Sequence, residues 1–115
     1  MSEIQELMLK INQFVKDREW GVYQTPKDLA ISLTLESAEV LEHFQFKNGD
    51  ELSDYLVNNK SEIGDELADV FVYLLELSQS VGVDLVEAAH KKIAKNALKY
   101  PIEKSKGNNK KYTEL

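Results

Sequence analysis

Two acidic pairs, each spaced acid-x-x-acid inside an apolar helical pattern, constrain this chain more than any other feature. Glu36 and Glu39 sit in L-T-L-E-S-A-E-V-L-E, and Glu66 and Asp69 sit in G-D-E-L-A-D-V-F-V-Y-L-L. Residues three apart share one helix face. Each helix therefore aims two carboxylates the same way, from faces that also carry Leu33 and Val40, or Val70 and Tyr73. Carboxylates so gathered repel one another and lose hydration, at roughly several kcal/mol per ion if unpaired. Basic partners are scarce in both stretches. A divalent cation removes the conflict, and four oxygen donors from two facing helices suit hard Mg²⁺ or Mn²⁺.

The rest of the chain reads as all-α, a bundle of about four main helices. Ser2 with Gln5 forms a capping box for a first helix, in which Ile4, Leu7, Met8, Ile11, Phe14 and Val15 keep helical spacing. Gly21 to Thr25 breaks it. Thr25-Pro26 starts a second helix, with Asp28 near its positive end. It is expected to run to about Lys47, where Asn48-Gly49 stops it. Asp50 to Leu56 reads as a short helical insert capped by Asp50. Ser61 caps a third long helix that runs to about Ser80. V-F-V-Y-L-L at 70–75 is strand-like alone, but it continues helical sequence on both sides, so length favours helix. Gly64, in the first turn, would permit close approach of another backbone. Asp84 and Glu87 make a further capping box, and Pro101 ends the fourth helix. Residues 101–115 form a polar, basic tail without a period.

A chain of 115 residues falls within the size of one domain, and 43% apolar content supports a modest core. The absence of cysteine excludes disulfides, thiolate zinc sites and a thiol nucleophile. The N-terminus lacks the pattern of a signal peptide, and no apolar stretch approaches the roughly 20 residues of a membrane span, so the expected location is cytoplasmic. A net charge of −6 argues against nonspecific nucleic-acid binding. The charge is uneven, with eight lysines and the single acid Glu103 between Lys91 and Lys111. That suits lysines reaching a polyanion held by a metal, or equally a solvated basic tail. The third helix is apolar nearly all round, through Leu67, Ala68, Val70, Phe71, Val72, Leu74, Leu75 and Leu77. Such a helix is buried on all sides, which in a small chain points to a homodimer or homotetramer.

E-S-A-E at 36–39 with E-L-A-D at 66–69 resembles the signature of the MazG-like, all-α nucleoside triphosphate pyrophosphohydrolases. R-E-W at 18–20, Y-Q-T-P-K-D-L, L-E-S-A-E-V-L-E-H-F-Q-F, K-I-A-K-N-A-L-K-Y-P at 92–101 and K-K-Y-T-E-L resemble the dCTP-pyrophosphatase-type branch. The resemblance covers nearly the whole chain. It implies Mg²⁺-dependent hydrolysis of a (d)NTP to (d)NMP and pyrophosphate, house-cleaning of the nucleotide pool, and assembly into dimers or tetramers. It makes Glu36, Glu39, Glu66 and Asp69 the metal ligands. Lys92, Lys95, Asn96 and Tyr100 then meet the triphosphate or sugar, Tyr73 lies beside the ligand, and Trp20 lies near the base. The chain departs from the vertebrate branch at Gln24, where that branch has histidine, and at Phe46, where it has tryptophan. Both positions bear on base recognition.

The chemistry of the residues agrees. Phosphoanhydride hydrolysis needs phosphate charge neutralised and a water activated, and metal ions supply both. No Ser/His/Asp set is evident around His43 or His90. His43, four residues after Glu39 and placed to pair with it on the helix face, reads as a structural or surface group, and a carboxylate, Glu39, is the candidate base. Trp20 and Phe46 also have a plain core reading. Glu62 reads as an acid favoured by the helix dipole rather than an outer ligand. The alternatives are dUTP or phosphoribosyl-ATP hydrolysis on the same scaffold, and a non-enzymatic helical interaction module.

Overall fold

The computed structural model describes all 115 residues, and each of its regular elements is helical. The local capping signals take the form their spacing predicts. At α1 (Glu3–Asp17) the Gln5 amide donates to Ser2 Oγ at 3.1 Å, and the Ser2 amide donates to Gln5 Oε1 at 2.8 Å. Glu19 then takes a left-handed φ of 53°, and the chain leaves α1 through a single 3₁₀ turn at Gly21–Tyr23. Thr25 Oγ1 accepts from the Asp28 amide at 3.2 Å and opens α2 (Pro26–Glu42).

Several boundaries differ from the sequence reading. α2 stops at Glu42 rather than near Lys47. Residues 43–46 turn instead, and Phe46 takes a left-handed φ of 65°, so the reversal precedes Asn48-Gly49. α3 (Gly49–Asn58) begins after Asn48 and is longer than the expected insert, with Asp50 inside its first turn. α4 (Lys60–Ser80) follows Asn59, whose Nδ2 donates to the Tyr55 carbonyl at 2.9 Å, and Ser61 lies within the helix instead of capping it. A Cβ at Gly64 would meet nothing within 4 Å, so no other backbone of this chain approaches it.

Met1–Gly82 and Val83–Leu115 form two compact units. In the first, α2 and α4 make the principal helix pair, with α1 and α3 against α4. Ile11, Leu29 and Leu75, one each from α1, α2 and α4, are the buried apolar side chains. α4 is not covered all round within the chain, because Leu67 is 52% and Phe71 40% exposed.

In the second unit, Asp84 Oδ1 accepts from the Glu87 amide at 3.1 Å at the start of α5 (Leu85–Lys99). The Glu87 side chain pairs forward with Lys91 at 2.7 Å instead of closing the box. The tail is more structured than its composition predicts. It forms α6 (Ile102–Ser105) and a 3₁₀ turn at Tyr112–Glu114. Tyr112 packs edge-on against Tyr100, centroids 6.1 Å apart, with Lys99 Nζ 4.9 Å from its ring centre. No helix is long and apolar enough to cross a membrane.

Candidate active site

The pairing of α2 with α4 brings both acidic pairs into one electrostatic neighbourhood. Burial pushes the Glu36 carboxyl above its ordinary value. A hydrogen bond with Glu39 and the charges of Glu39, Asp69 and Glu66 add to the rise. Glu36 Oε2 and Glu66 Oε2 are buried without hydrogen-bond partners. A buried acceptor left unsatisfied costs about 1–3 kcal/mol. No lysine or arginine pairs with any of these acids: the one lysine–carboxylate pair is Glu87–Lys91, and the one other close contact of an acid with a basic side chain is that of Glu66 with the His43 ring. Hard oxygens that repel one another and lack donors fit a divalent cation. Their side chains do not form a ready cage, because no group of three or more acids or histidines is drawn together closely enough.

His43 is the residue the sequence undervalued. It follows the last turn of α2, half-buried, and turns towards α4 rather than towards Glu39. Its Nε2 lies 3.2 Å from Glu66 Oε1, out of line for a hydrogen bond, and its Nδ1 lies 2.7 Å from the Tyr55 hydroxyl. The one available signal was its position four residues after Glu39, which pointed to the wrong acid.

An aromatic pocket adjoins the acids. The turn at Glu19 folds Trp20 back against Phe14, edge-on with ring centroids 5.7 Å apart. The Arg18 guanidinium covers the Phe14 ring at 3.7 Å and Nη1 donates to the Phe14 carbonyl at 3.0 Å, bracing that contact. Trp20 remains 45% exposed, so it is not a core residue. Trp20, Gln24, Asp28, Ser32 and Tyr73 line a cavity of about 250 Å³. Trp20, Gln24, Asp69, Tyr73 and Glu76 line another of about 350 Å³. Asp69 therefore belongs both to the acidic neighbourhood and to the wall of the aromatic cavity. Glu76, unremarked in the sequence, is buried there, and burial raises its carboxyl while the Gln24 side chain opposes the rise.

The other predicted residues are not among those that line these cavities. Phe46 is 88% exposed and lines none of them. Lys92, Lys95 and Asn96 lie exposed on one face of α5, and Tyr100 follows its end, all within the second unit.

A family model described as the MazG-like family matches residues 31–115, a stretch that holds all four acids. The chain belongs to the MazG-like family. This MazG-like chain is 32% identical over 105 residues to dCTP pyrophosphatase 1 of Mus musculus and 31% identical to that of Homo sapiens. The alignments cover 90% of this chain, which spans 62% of each relative's length. A solved pyrophosphatase from Archaeoglobus fulgidus matches with a TM-score of 0.83 and 39% identity, over 88% of this chain and 94% of that one. That match supports the all-helical architecture.

Proposed function

We propose that this MazG-like protein hydrolyses a nucleoside triphosphate, of the pyrimidine or modified-pyrimidine deoxynucleotide class, to the monophosphate and pyrophosphate, and so clears the nucleotide pool. The observation that carries the reading is the double position of Asp69. Asp69 is shared by a group of carboxylates of the kind that suits a phosphate-bound cation and by the wall of an aromatic cavity large enough for a base, which supports the reading. The activities named for the mammalian and archaeal relatives point the same way.

Glu36, Glu39, Glu66 and Asp69 are the proposed ligands of Mg²⁺, or of Mn²⁺. When bound, the cation neutralises phosphate charge and lowers the pKa of water. Glu39, the exposed member of the α2 pair, is the proposed base. Its carboxylate takes a proton from the water whose oxygen bonds to the α-phosphorus. The bond from that phosphorus to the α,β-bridging oxygen breaks, and pyrophosphate leaves with the electron pair. His43, 3.2 Å from Glu66, would hold that ligand in place. Trp20 and Tyr73 flank the base, and Lys92, Lys95, Asn96 and Tyr100 are assigned to the triphosphate and sugar. Phe46 lies outside the proposed base site.

The protein is also proposed to work as a homodimer or homotetramer. The support is the apolar surface left on α2 and α4, where Leu35, Leu41 and Leu67 are each more than half exposed.

Incubation with Mg²⁺ and a panel of canonical and modified (d)NTPs, with products resolved by ion-exchange chromatography, tests the reaction. The expected products are dNMP and pyrophosphate. Stepwise release of dNDP and orthophosphate would overturn the assignment, and no Mg²⁺-dependent turnover would favour the interaction-module alternative.

A further inference from the structure

Glu76 is 9% exposed, and no lysine or arginine nitrogen lies within 4 Å of its carboxyl. A buried carboxylate without a cation is unfavourable, and an apolar side chain between Leu75 and Leu77 would fill the position at lower cost. Nothing in the packing of α4 requires an acid there. The cavity does offer it a purpose. Glu76 lines it with Trp20, Gln24 and Tyr73, on the same face of α4 as Asp69. Gln24, at the end of the 3₁₀ turn, borders the cavity beside Glu76, and its side chain opposes the effect of burial on the carboxyl. Lys10 and Asp69 border the same space, and Lys16 and Glu19 border a second cleft reached by Glu76, so charges of both signs surround it.

We propose that Glu76, in the cavity wall with Gln24, selects the base by accepting a hydrogen bond from an exocyclic amine, so that a 4-aminopyrimidine nucleotide is preferred over its 4-oxo counterpart. The proposal rests on the pyrophosphohydrolase reading. An ionised carboxylate only accepts hydrogen bonds. A 4-amino group offers it an N–H, as carboxylates accept from the cytosine amine in other recognition sites. A 4-oxo group sets two acceptors face to face, with neither satisfied by the other. The Gln24 side chain favours the ionised form against the effect of burial. Trp20 and Tyr73 hold the ring without distinguishing these two bases, since both present the same π-face.

The test compares the wild type with Glu76→Gln and Glu76→Ala at mildly alkaline pH, which favours the ionised carboxyl. Two readouts are needed: kcat/KM for dCTP and dUTP with Mg²⁺, and Trp20 fluorescence titrated with dCMP and dUMP without metal. The wild type is expected to favour the amino base by about tenfold or more, because a site built to hydrogen bond a polar group rejects the analogue lacking it. Both variants should narrow the ratio several-fold in both readouts, Glu76→Gln most clearly, because its amide can turn an N–H towards the 4-oxo group. Equal ratios in wild type and both folded variants would overturn the proposal, as would a wild-type preference for the 4-oxo base. If the wild type released no pyrophosphate yet still bound dCMP over dUMP through Glu76, the reaction assignment would fail and the recognition proposal would stand.

Discussion

His43 Nε2 lies 3.2 Å from Glu66 Oε1, which ties the end of α2 to the acid-bearing turn of α4. The same ring holds the Tyr55 hydroxyl at 2.7 Å. His43→Ala strands the Tyr55 hydroxyl and frees Glu66, and is expected to cost about 1–3 kcal/mol in urea unfolding. Tyr55→Phe removes one hydrogen bond and should cost about 0.5–1.5 kcal/mol. Turnover should fall further in His43→Ala than in Tyr55→Phe, because only the former releases a proposed metal ligand. Equal activity in the two variants would separate His43 from the site.

The changes Glu36→Gln, Glu39→Gln, Glu66→Gln and Asp69→Asn should each remove most turnover while circular dichroism shows the helices intact. Glu36→Gln should also raise the melting temperature of the metal-free protein, since it relieves repulsion from Glu39, Asp69 and Glu66. Near-wild-type activity in two or more of the four variants would rule out the metal-site assignment.

The raised carboxyls of Glu36 and Glu76 fix the sign of a pH effect. Each binds its proton more tightly folded than unfolded, so the native state holds more protons across the window from the ordinary carboxylate value up to the raised one. Stability of the metal-free protein should therefore fall as pH rises through that window and level off above it. These two groups contribute no destabilisation below the window, where both states are protonated. Thermal melts in EDTA across the window should show the decline, with a shallower slope in Glu36→Gln. An identical slope in that variant would exclude Glu36 as its source.

Trp20→Ala should weaken nucleotide binding by roughly 1–3 kcal/mol, the scale of base–aromatic stacking, and Trp20→Phe by much less. Trp20 is the only tryptophan, so intrinsic fluorescence reports on it directly. A signal indifferent to saturating nucleotide would remove Trp20 from the base site.

Light scattering at micromolar concentration should give the mass of a dimer or tetramer. Leu67→Glu, at a position 52% exposed within the chain, should shift that mass towards the monomer without unfolding the helices. A fully active monomer would end the assembly proposal.

What the sequence disclosed follows from the range of each interaction. The caps at Ser2, Thr25 and Asp84 act within three residues, so their spacing is the structure. The acid pairs were legible because helical periodicity puts residues three apart on one face. The end of α2 was not. It coincides with the His43 contact to Tyr55, twelve residues downstream, and with a left-handed Phe46 that no propensity marks. Glu76 stayed hidden for the same reason: read along the chain it interrupts an apolar run, and only the fold brings Gln24 beside it. The tail lacks hydrophobic periodicity, and its order includes one aromatic contact between Tyr100 and Tyr112.

α4 carries Asp69 and, two turns later, Glu76, so a single rigid rod separates the acid of the proposed chemistry from the residue beside the base by about 10 Å along its axis. Inserting one residue between them would lengthen that spacing by only about 1.5 Å but rotate one end by about 100° relative to the other. Side chains at either end of this rod can therefore be exchanged one at a time, whereas an inserted residue would turn one end away from the other.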